Sequence, residues 1–389
     1  MNYRMPSYYN DFKCIADKCP DTCCAGWAIV IDDKTMKKYK EMSGEAGDYI
    51  REHVDESEQV YIRNGARCSF LNDRNLCDLY INAGEDKLCK TCARYPRHFE
   101  EYGNLVEAAL SMSCPVAAKM IVDNTDKDRY KYRSNDKISP HAREVDAHLL
   151  NVLLGVRQHI FEITGERKCS IKERMTRILD YGAAVQEHVY KYEKLGVRQH
   201  IRKCRDRIFR DIDWLTYHDK YGVKSYVIDL TCSGRYNIIS MYMDMLLGLE
   251  NINDNWPAMM ESAKCVLYRE QSEEEYTQCA DDFDKYMSDR MYEYEHVLNY
   301  FLYTYFLGGV YDYNIQAMVK LAVLSTLIIR ELGMAVWKDN GGIFTVEDQI
   351  KVCYQYSRQI EHSDENLMSL EGILTAHPAF CDENLKQIL

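Results

Sequence analysis

Nine cysteines stand within the first third of the chain: Cys14, Cys19, Cys23, Cys24, Cys68, Cys77, Cys89, Cys92 and Cys114. The other seven of the 16 are scattered from Cys169 onward. Two groups are tight, Cys14-x4-Cys19-x3-Cys23-Cys24 and Cys68-x8-Cys77-x11-Cys89-x2-Cys92, and 43 residues separate them, so the fold must bring them together. The N-terminus has no apolar signal segment, and the longest apolar runs are too short or too closely fenced by charge to cross a bilayer. A cytoplasmic protein without membrane insertion is therefore expected. There thiols stay reduced, and clustered cysteines read as metal or cluster ligands before disulfides.

The spacing limits what they can hold. A structural zinc module shows two short Cys-x2–4-Cys knuckles, and only Cys89-x2-Cys92 has that form cleanly. Adjacent side chains diverge, so Cys23 and Cys24 suit a multi-iron cluster plus a structural role, or two different sites. An iron–sulfur cluster needs four thiolates with less fixed spacing. Nine cysteines could supply one cluster with spares, or a cluster and a zinc. Arg94 and Arg97 follow Cys92 directly; cations there would offset thiolate charge, unless they pair with Glu100 and Glu101. The order is not the Cys-x3-Cys-x2-Cys of the common radical enzymes, and no Gly-x-Gly-x-x-Gly follows a strand.

The elements that position these residues read as mostly α. An irregular cysteine-rich metal-binding domain, 1–122, is followed by a linker or exposed excursion, 123–140, and a multi-helix domain, 141–389. Residues 1–31 look irregular and end in the strand-like run Trp27–Ile31. Asp32 or Asp33 has the side-chain oxygen to cap a helix reaching about His53. Short extended pieces surround Cys68 and Cys77. Ser113 is expected to cap a helix with Pro115 in its first turn. Helical spacing is seen at Leu149, Leu153, Val156 and Ile160, and at Ile238, Met241, Met245 and Leu249. Further helices are expected over about 256–280, 285–307, 313–337 and 345–374. Leu-Gly-Val-Arg-Gln-His-Ile occurs at 154–160 and 195–201, too little periodicity for a solenoid. Tyr300, Tyr303, Tyr305, Tyr311 and Tyr313 read as hydrogen-bonded core phenols or as a cage for a cation.

The 389 residues are enough for a sizeable core, and 46% hydrophobic with 28% charged is ordinary for a globular protein. The net charge of −12 argues against nucleic acid. It suits a basic partner, or simply solubility.

Phe12-x-Cys14-x4-Cys19-Pro20-Asp21-Thr22-Cys23-Cys24-Ala25-Gly26-Trp27, Cys68-Ser69-Phe70-Leu71, Cys77-Asp78-Leu79-Tyr80, Leu88-Cys89-Lys90-Thr91-Cys92-Ala93-Arg94-Tyr95-Pro96-Arg97 and Ser111-Met112-Ser113-Cys114-Pro115 resemble the flagellin lysine-N-methylase family. So does the run Ser357 to Leu367, which carries Arg358, Glu361, His362, Ser363 and Asn366. The cysteine half also resembles bacterial cysteine-cluster proteins described as zinc- or iron-chelating, with the Cys92-Ala93-Arg94-Tyr95-Pro96 element one residue longer. The resemblance implies methyl transfer from S-adenosylmethionine to surface lysines of flagellin, with an iron–sulfur cluster, of the 4Fe-4S type, held among the nine cysteines. Zinc is the alternative or second metal.

Lysine methylation needs a neutral amine, although free lysine has a pKa near 10.4. It also needs in-line positioning and a proton acceptor. By motif Glu361 and His362 are the candidate catalytic residues, and Tyr354 and Tyr356 are the candidate cofactor-binding residues. Otherwise Glu361 and His362 only end one helix while Ser363 or Asp364 caps the next. Two other functions fit the same cysteines: a non-catalytic zinc- or iron-binding module with a helical partner-binding domain, and an iron–sulfur redox protein.

Overall fold

The computed structural model describes residues 1–195 and 234–389. The chain starts with strand β1 (Asn2–Pro6), where the sequence reads as irregular. Its partners are distant in sequence, so no local pattern reveals it. β1 runs parallel to β7 (Leu105–Leu110), with Asn2 opposite Leu105, and antiparallel to β8 (Tyr130–Ser134), with Asn2 opposite Ser134. β6 (Arg97–Tyr102) completes the sheet in the order β6-β7-β1-β8. The two-residue β6–β7 turn places Gly103 at φ 61°, a conformation glycine adopts without steric cost. β8 lies in the stretch 123–140, read as a linker or exposed excursion.

Between β1 and β6 the chain leaves the sheet to build a small lobe that carries eight of the nine clustered cysteines. Asp32 caps α1 (Asp33–Glu41), its carboxylate accepting from the Thr35 amide at 3.1 Å. The expected single helix to His53 is two: the chain breaks at Met42–Gly44, with Gly44 at φ 82°, before α2 (Glu45–Glu52). Two short hairpins follow, β2 (Val54–Asp55) with β3 (Val60–Tyr61) and β4 (Arg63–Asn64) with β5 (Arg67–Cys68). Then come α3 (Asp78–Ala83) and α4 (Lys90–Arg94). Trp27–Ile31 does not form a strand; only an isolated bridge joins Val30 to Val60. The lobe has its own core, in which Ile31, Tyr39, Ile50, Phe70 and Leu79 surround Cys68 and Cys89.

Helix α5 (Pro115–Val122) begins with Pro115, but its N-cap is Cys114, not Ser113. Ser113 bonds elsewhere, as described below.

The remainder is helical. In α6 (Ala147–Thr164), Leu149, Leu153, Val156 and Ile160 all face the core. In the Arg235–Leu247 helix the buried face is Ile238, Ile239, Tyr242, Met243 and Leu246, while Met241 is exposed, so the 238/241/245/249 register is corrected. Leu249 lies beyond that helix. The region 256–280 is not one helix: Trp256–Lys264 passes through a π turn at Cys265–Arg269, and Glu273–Tyr286 restarts with a Ser272–Glu275 capping box. The Ile315–Asp339 helix is buried from Ile315 to Ala335, which marks it as the centre of the body. Its buried charges are paired: Arg330 with Asp284, and Glu331 with Arg235. Only Leu195 of the second heptapeptide copy falls within the described residues.

Sheet and body are joined by a buried ion pair. Arg157, fully buried in α6, donates to Glu107 of β7 at 2.7 and 2.5 Å. Tyr303 donates to the Arg4 carbonyl at 2.9 Å. Among the described residues, no helix is long and apolar enough to cross a membrane.

Candidate functional site

The two cysteine groups do meet. Cys14, Cys19, Cys23, Cys24, Cys77, Cys92 and Cys114 line one cavity of about 550 Å³, between the lobe, the start of α5 and Arg358. Cys68 and Cys89 lie behind it, 7% and 0% exposed, in the lobe core. Local structure sets each thiol. Cys14 and Cys19 flank a single turn at Ala16–Lys18, where the Ala16 amide donates to Cys14 Sγ at 3.4 Å. The Cys23 carbonyl accepts from Trp27 Nε1 at 2.8 Å, and the Cys24 carbonyl from the Cys68 amide at 2.8 Å. Cys77, Cys89 and Cys114 are the N-cap residues of α3, α4 and α5, where a helix end favours the thiolate. The loop also presses on the helical body. Gly26 has φ 93°, and a Cβ there would sit 3.0 Å from the Ile252 carbonyl.

Burial pushes the Cys19, Cys68, Cys77 and Cys114 thiols up. Two pairs behave otherwise. Cys24 is lowered by a hydrogen bond from Cys23, and Cys89 by one from Cys92, so one sulfur of each pair loses its proton first. Among the described residues, no three His, Cys, Asp or Glu side chains form a group that could hold a metal ion. The thiols ring a space instead of converging on a point.

A second pocket, about 390 Å³, shares Trp27, Thr91, Tyr95, Pro96 and Arg97 with the thiol cavity. Its far side is Glu361 and His362, the end of the Val346–Glu361 helix. Glu361 accepts from Tyr300 at 3.0 Å, from Tyr305 at 2.9 Å and from Ser357. Burial raises its pKa above the ordinary carboxylate value against the pull of these three hydroxyls. His362 is held down to about 3 by burial and by the nearby Arg358 cation, so it is neutral at working pH. Its ring stacks on Trp27 at 4.4 Å, and its Nε2 bonds Ser113 Oγ at 2.8 Å. Ser113 Oγ also meets Tyr95 Oη at 3.0 Å and Ser111 Oγ at 2.6 Å.

Lys90, Arg94 and Arg97 bring positive charge to the pocket wall, which His98 also lines. Arg97 lies over Phe12 at 5.1 Å and Arg94 over Phe99 at 5.3 Å. Glu100 pairs with His98 at 2.9 Å.

Glu361 and His362 are thus both the end of a helix and the wall of a pocket; Ser363 caps the next helix, accepting from the Asn366 amide at 3.1 Å. The five tyrosines are mostly bonded phenols, yet Tyr300 and Tyr305 aim at Glu361. Tyr354 and Tyr356 line neither cavity. Tyr354 is buried under the Arg358 guanidinium, 5.6 Å from it. Tyr356 is fully buried in the helical core, bonded to Ser325 at 3.0 Å. Sequence reasoning did not single out Trp27, Tyr95, Asp21 or Arg358. Each lies inside a motif named above, and that was the only signal available.

Residues 157–388 match the family described as the FliB lysine N-methylase C-terminal domain. A lysine-N-methylase of Salmonella choleraesuis (strain SC-B67) is 29% identical over 133 residues, which are 31% of this chain and 32% of that protein. The flagellar biosynthetic protein FliU of Salmonella muenchen is 28% identical over 133 residues, 31% of this chain and 77% of its own length. A lysine-N-methylase of Salmonella typhimurium is 28% identical over 130 residues, 31% of this chain and 32% of its own length. The match thus spans about a third of the two relatives called lysine-N-methylase. No solved structure matches. With well over half of its length within that one domain family, the chain belongs to the FliB lysine N-methylase family.

Proposed function

We propose that the protein transfers methyl groups from S-adenosylmethionine to lysine ε-amines of flagellin, with an iron–sulfur cluster held by the N-terminal thiols. The observation that carries this reading is the shared wall of the two cavities. Trp27 and Tyr95 separate the thiols from a pocket whose opposite side is a hydrogen-bonded carboxylate.

The cavity fits the group. All of the cysteine donors are soft sulfur, suited to iron–sulfur or zinc and poorly suited to calcium or magnesium. A ring of thiols around a space suits a multi-iron body better than a bare ion. Cys14, Cys19, Cys23, Cys24, Cys77, Cys92 and Cys114 are the candidate ligands. When bound, a cluster there would supply an iron site or an electron.

The second pocket suits the methyl donor and the lysine. The faces of Trp27, Tyr95 and His362 can meet a sulfonium, and Arg94, Arg97 and Lys90 can meet the donor's carboxylate. The same cations work on the substrate: an ammonium entering a desolvated, positively lined pocket gives up its proton more readily than in water. The amine nitrogen then bonds the methyl carbon as the sulfur–carbon bond breaks. S-adenosylhomocysteine leaves and the product departs as a methylammonium; the one proton released, given up before attack, passes to Glu361. Burial raises the Glu361 pKa, which makes its carboxylate a stronger acceptor of that proton, while the tyrosine and serine hydroxyls fix its direction. Neutral His362 keeps Trp27 in place.

The test is mass spectrometry of flagellin incubated with anaerobically purified protein and S-adenosylmethionine. Lysines should gain increments of one methyl. No increment on several flagellins, with cluster-replete protein, refutes the reading.

A further inference from the structure

One side chain of the helical body reaches into the thiol cavity, and its contacts are unusual. Arg358 is 5% exposed. Its Nη1 donates to Asp21 Oδ1 at 2.5 Å, its Nη2 to the Asp21 carbonyl at 2.8 Å and its Nε to the Ser113 carbonyl at 3.0 Å. Asp21 lies between Cys19 and Cys23, and Ser113 immediately precedes Cys114. One planar guanidinium therefore fastens the two separate segments that carry Cys19, Cys23, Cys24 and Cys114. Gln355, one turn earlier, holds the other oxygen of Asp21 at 2.9 Å. On the far side of Arg358 the same helix ends in Glu361 and His362, and His362 also bonds Ser113.

Charge points the same way. A buried arginine is costly unless compensated, and here one partly exposed carboxylate faces it along with the thiol ring. Thiolates around a metal group supply the missing negative charge. Arginine suits this place because its fork grips two backbone segments at once, which an ammonium cannot do.

We infer that Arg358 is a positioning residue of the metal centre: it clamps the Cys19–Cys24 loop to the Ser113–Cys114 turn. Cluster retention by the N-terminal cysteines then depends on a C-terminal helix. This rests on the cluster reading above only for the identity of the metal; the clamp itself is a property of the apo-protein too.

The experiment compares wild type with Arg358→Ala, Arg358→Lys and Gln355→Ala, purified anaerobically. Iron, acid-labile sulfide and cluster potential are measured, and alkylation of each cysteine in the apo-protein is mapped by mass spectrometry. Arg358→Ala should weaken metal affinity by about 10–100-fold, as loss of an outer-shell partner does, and lower the potential of any residual cluster. Arg358→Lys should restore the potential better than the retention, because it keeps the charge and loses the fork. Gln355→Ala should change retention less than either. In apo Arg358→Ala, Cys19, Cys23 and Cys114 should alkylate faster, and Cys68 and Cys89 at the wild-type rate. Wild-type retention and potential in folded Arg358→Ala would overturn the inference, as would unchanged alkylation. If all nine cysteines speed up together, the variant has unfolded and Asp21→Asn decides. It should show the selective pattern, and wild-type behaviour would again overturn the clamp. A wild-type protein without iron sinks the cluster reading, and the alkylation pattern still judges the clamp.

Discussion

The lobe and the helical body are built on opposite terms. The body has one continuous core, with a central helix buried from Ile315 to Ala335 and its charges paired inside. The lobe has a small core of eleven buried residues, two of them cysteines, with loops of only a few residues' regular structure around it. A core of that size supports little stability by itself. The difference separates two tasks: the body is a scaffold that holds Glu361, His362 and Arg358 in place, and the lobe is a thiol frame completed by what it binds.

The sharpest way to break that contrast is to remove the metal. Stripping it under anaerobic chelation should speed hydrogen exchange throughout α1–α4, because metal binding and folding are coupled in thiol-rich modules. Amides of 315–335 should stay protected. Equal loss in both regions would mean the lobe is not a separate metal-dependent unit.

Next comes chemistry lodged in the body. Glu361→Gln should lower turnover by about 10²–10⁴-fold, the range for a lost proton acceptor, while circular dichroism keeps the helical signal. In wild type the rate should rise with pH through the raised Glu361 pKa, since only the carboxylate accepts a proton. Full activity in the variant would assign the proton to water.

The seam between sheet and body is the third target. Arg157→Ala leaves Glu107 buried without its main partner and should cost about 3–5 kcal/mol, as broken buried pairs do. Urea unfolding measures it.

A smaller effect is expected from pH. His362 is depressed in the folded state, so folding favours its neutral form. Its contribution is present above the ordinary histidine pKa of about 6.5 and is lost as pH falls toward about 3. His362→Gln should flatten stability across that window, which chemical denaturation at several pH values would detect. The smallest effect belongs to the body's stray thiols. Cys265→Ser, whose thiol donates to Glu270 at 3.2 Å, should leave metal content unchanged and stability within about 0.5 kcal/mol.

Much of the fold was readable where the cause is local. Asp32 caps because its carboxylate reaches the Thr35 amide three residues on. Leu149, Leu153, Val156 and Ile160 share a face because helical periodicity puts them there. Where packing decides, reading failed. Met241 follows helical spacing but turns outward, since the neighbouring helices take the face of Ile239, Tyr242 and Met243. Cys114, not Ser113, caps α5, because Ser113 is drawn into bonds with His362 and Tyr95.

The sequence by itself determined that nine thiols gather near the N-terminus and that most of the rest is helical. These depend on composition, period and capping, which act over a few residues. The break after Glu361, inside the stretch expected to be helical over about 345–374, came from the structure. Only the tertiary structure decided that Trp27 stacks on His362, that Tyr300 and Tyr305 converge on Glu361, and that Arg358 holds Asp21 and Ser113. Those contacts join residues separated by tens to hundreds of positions. Their geometry is fixed by how the lobe docks on the body, which no local preference encodes.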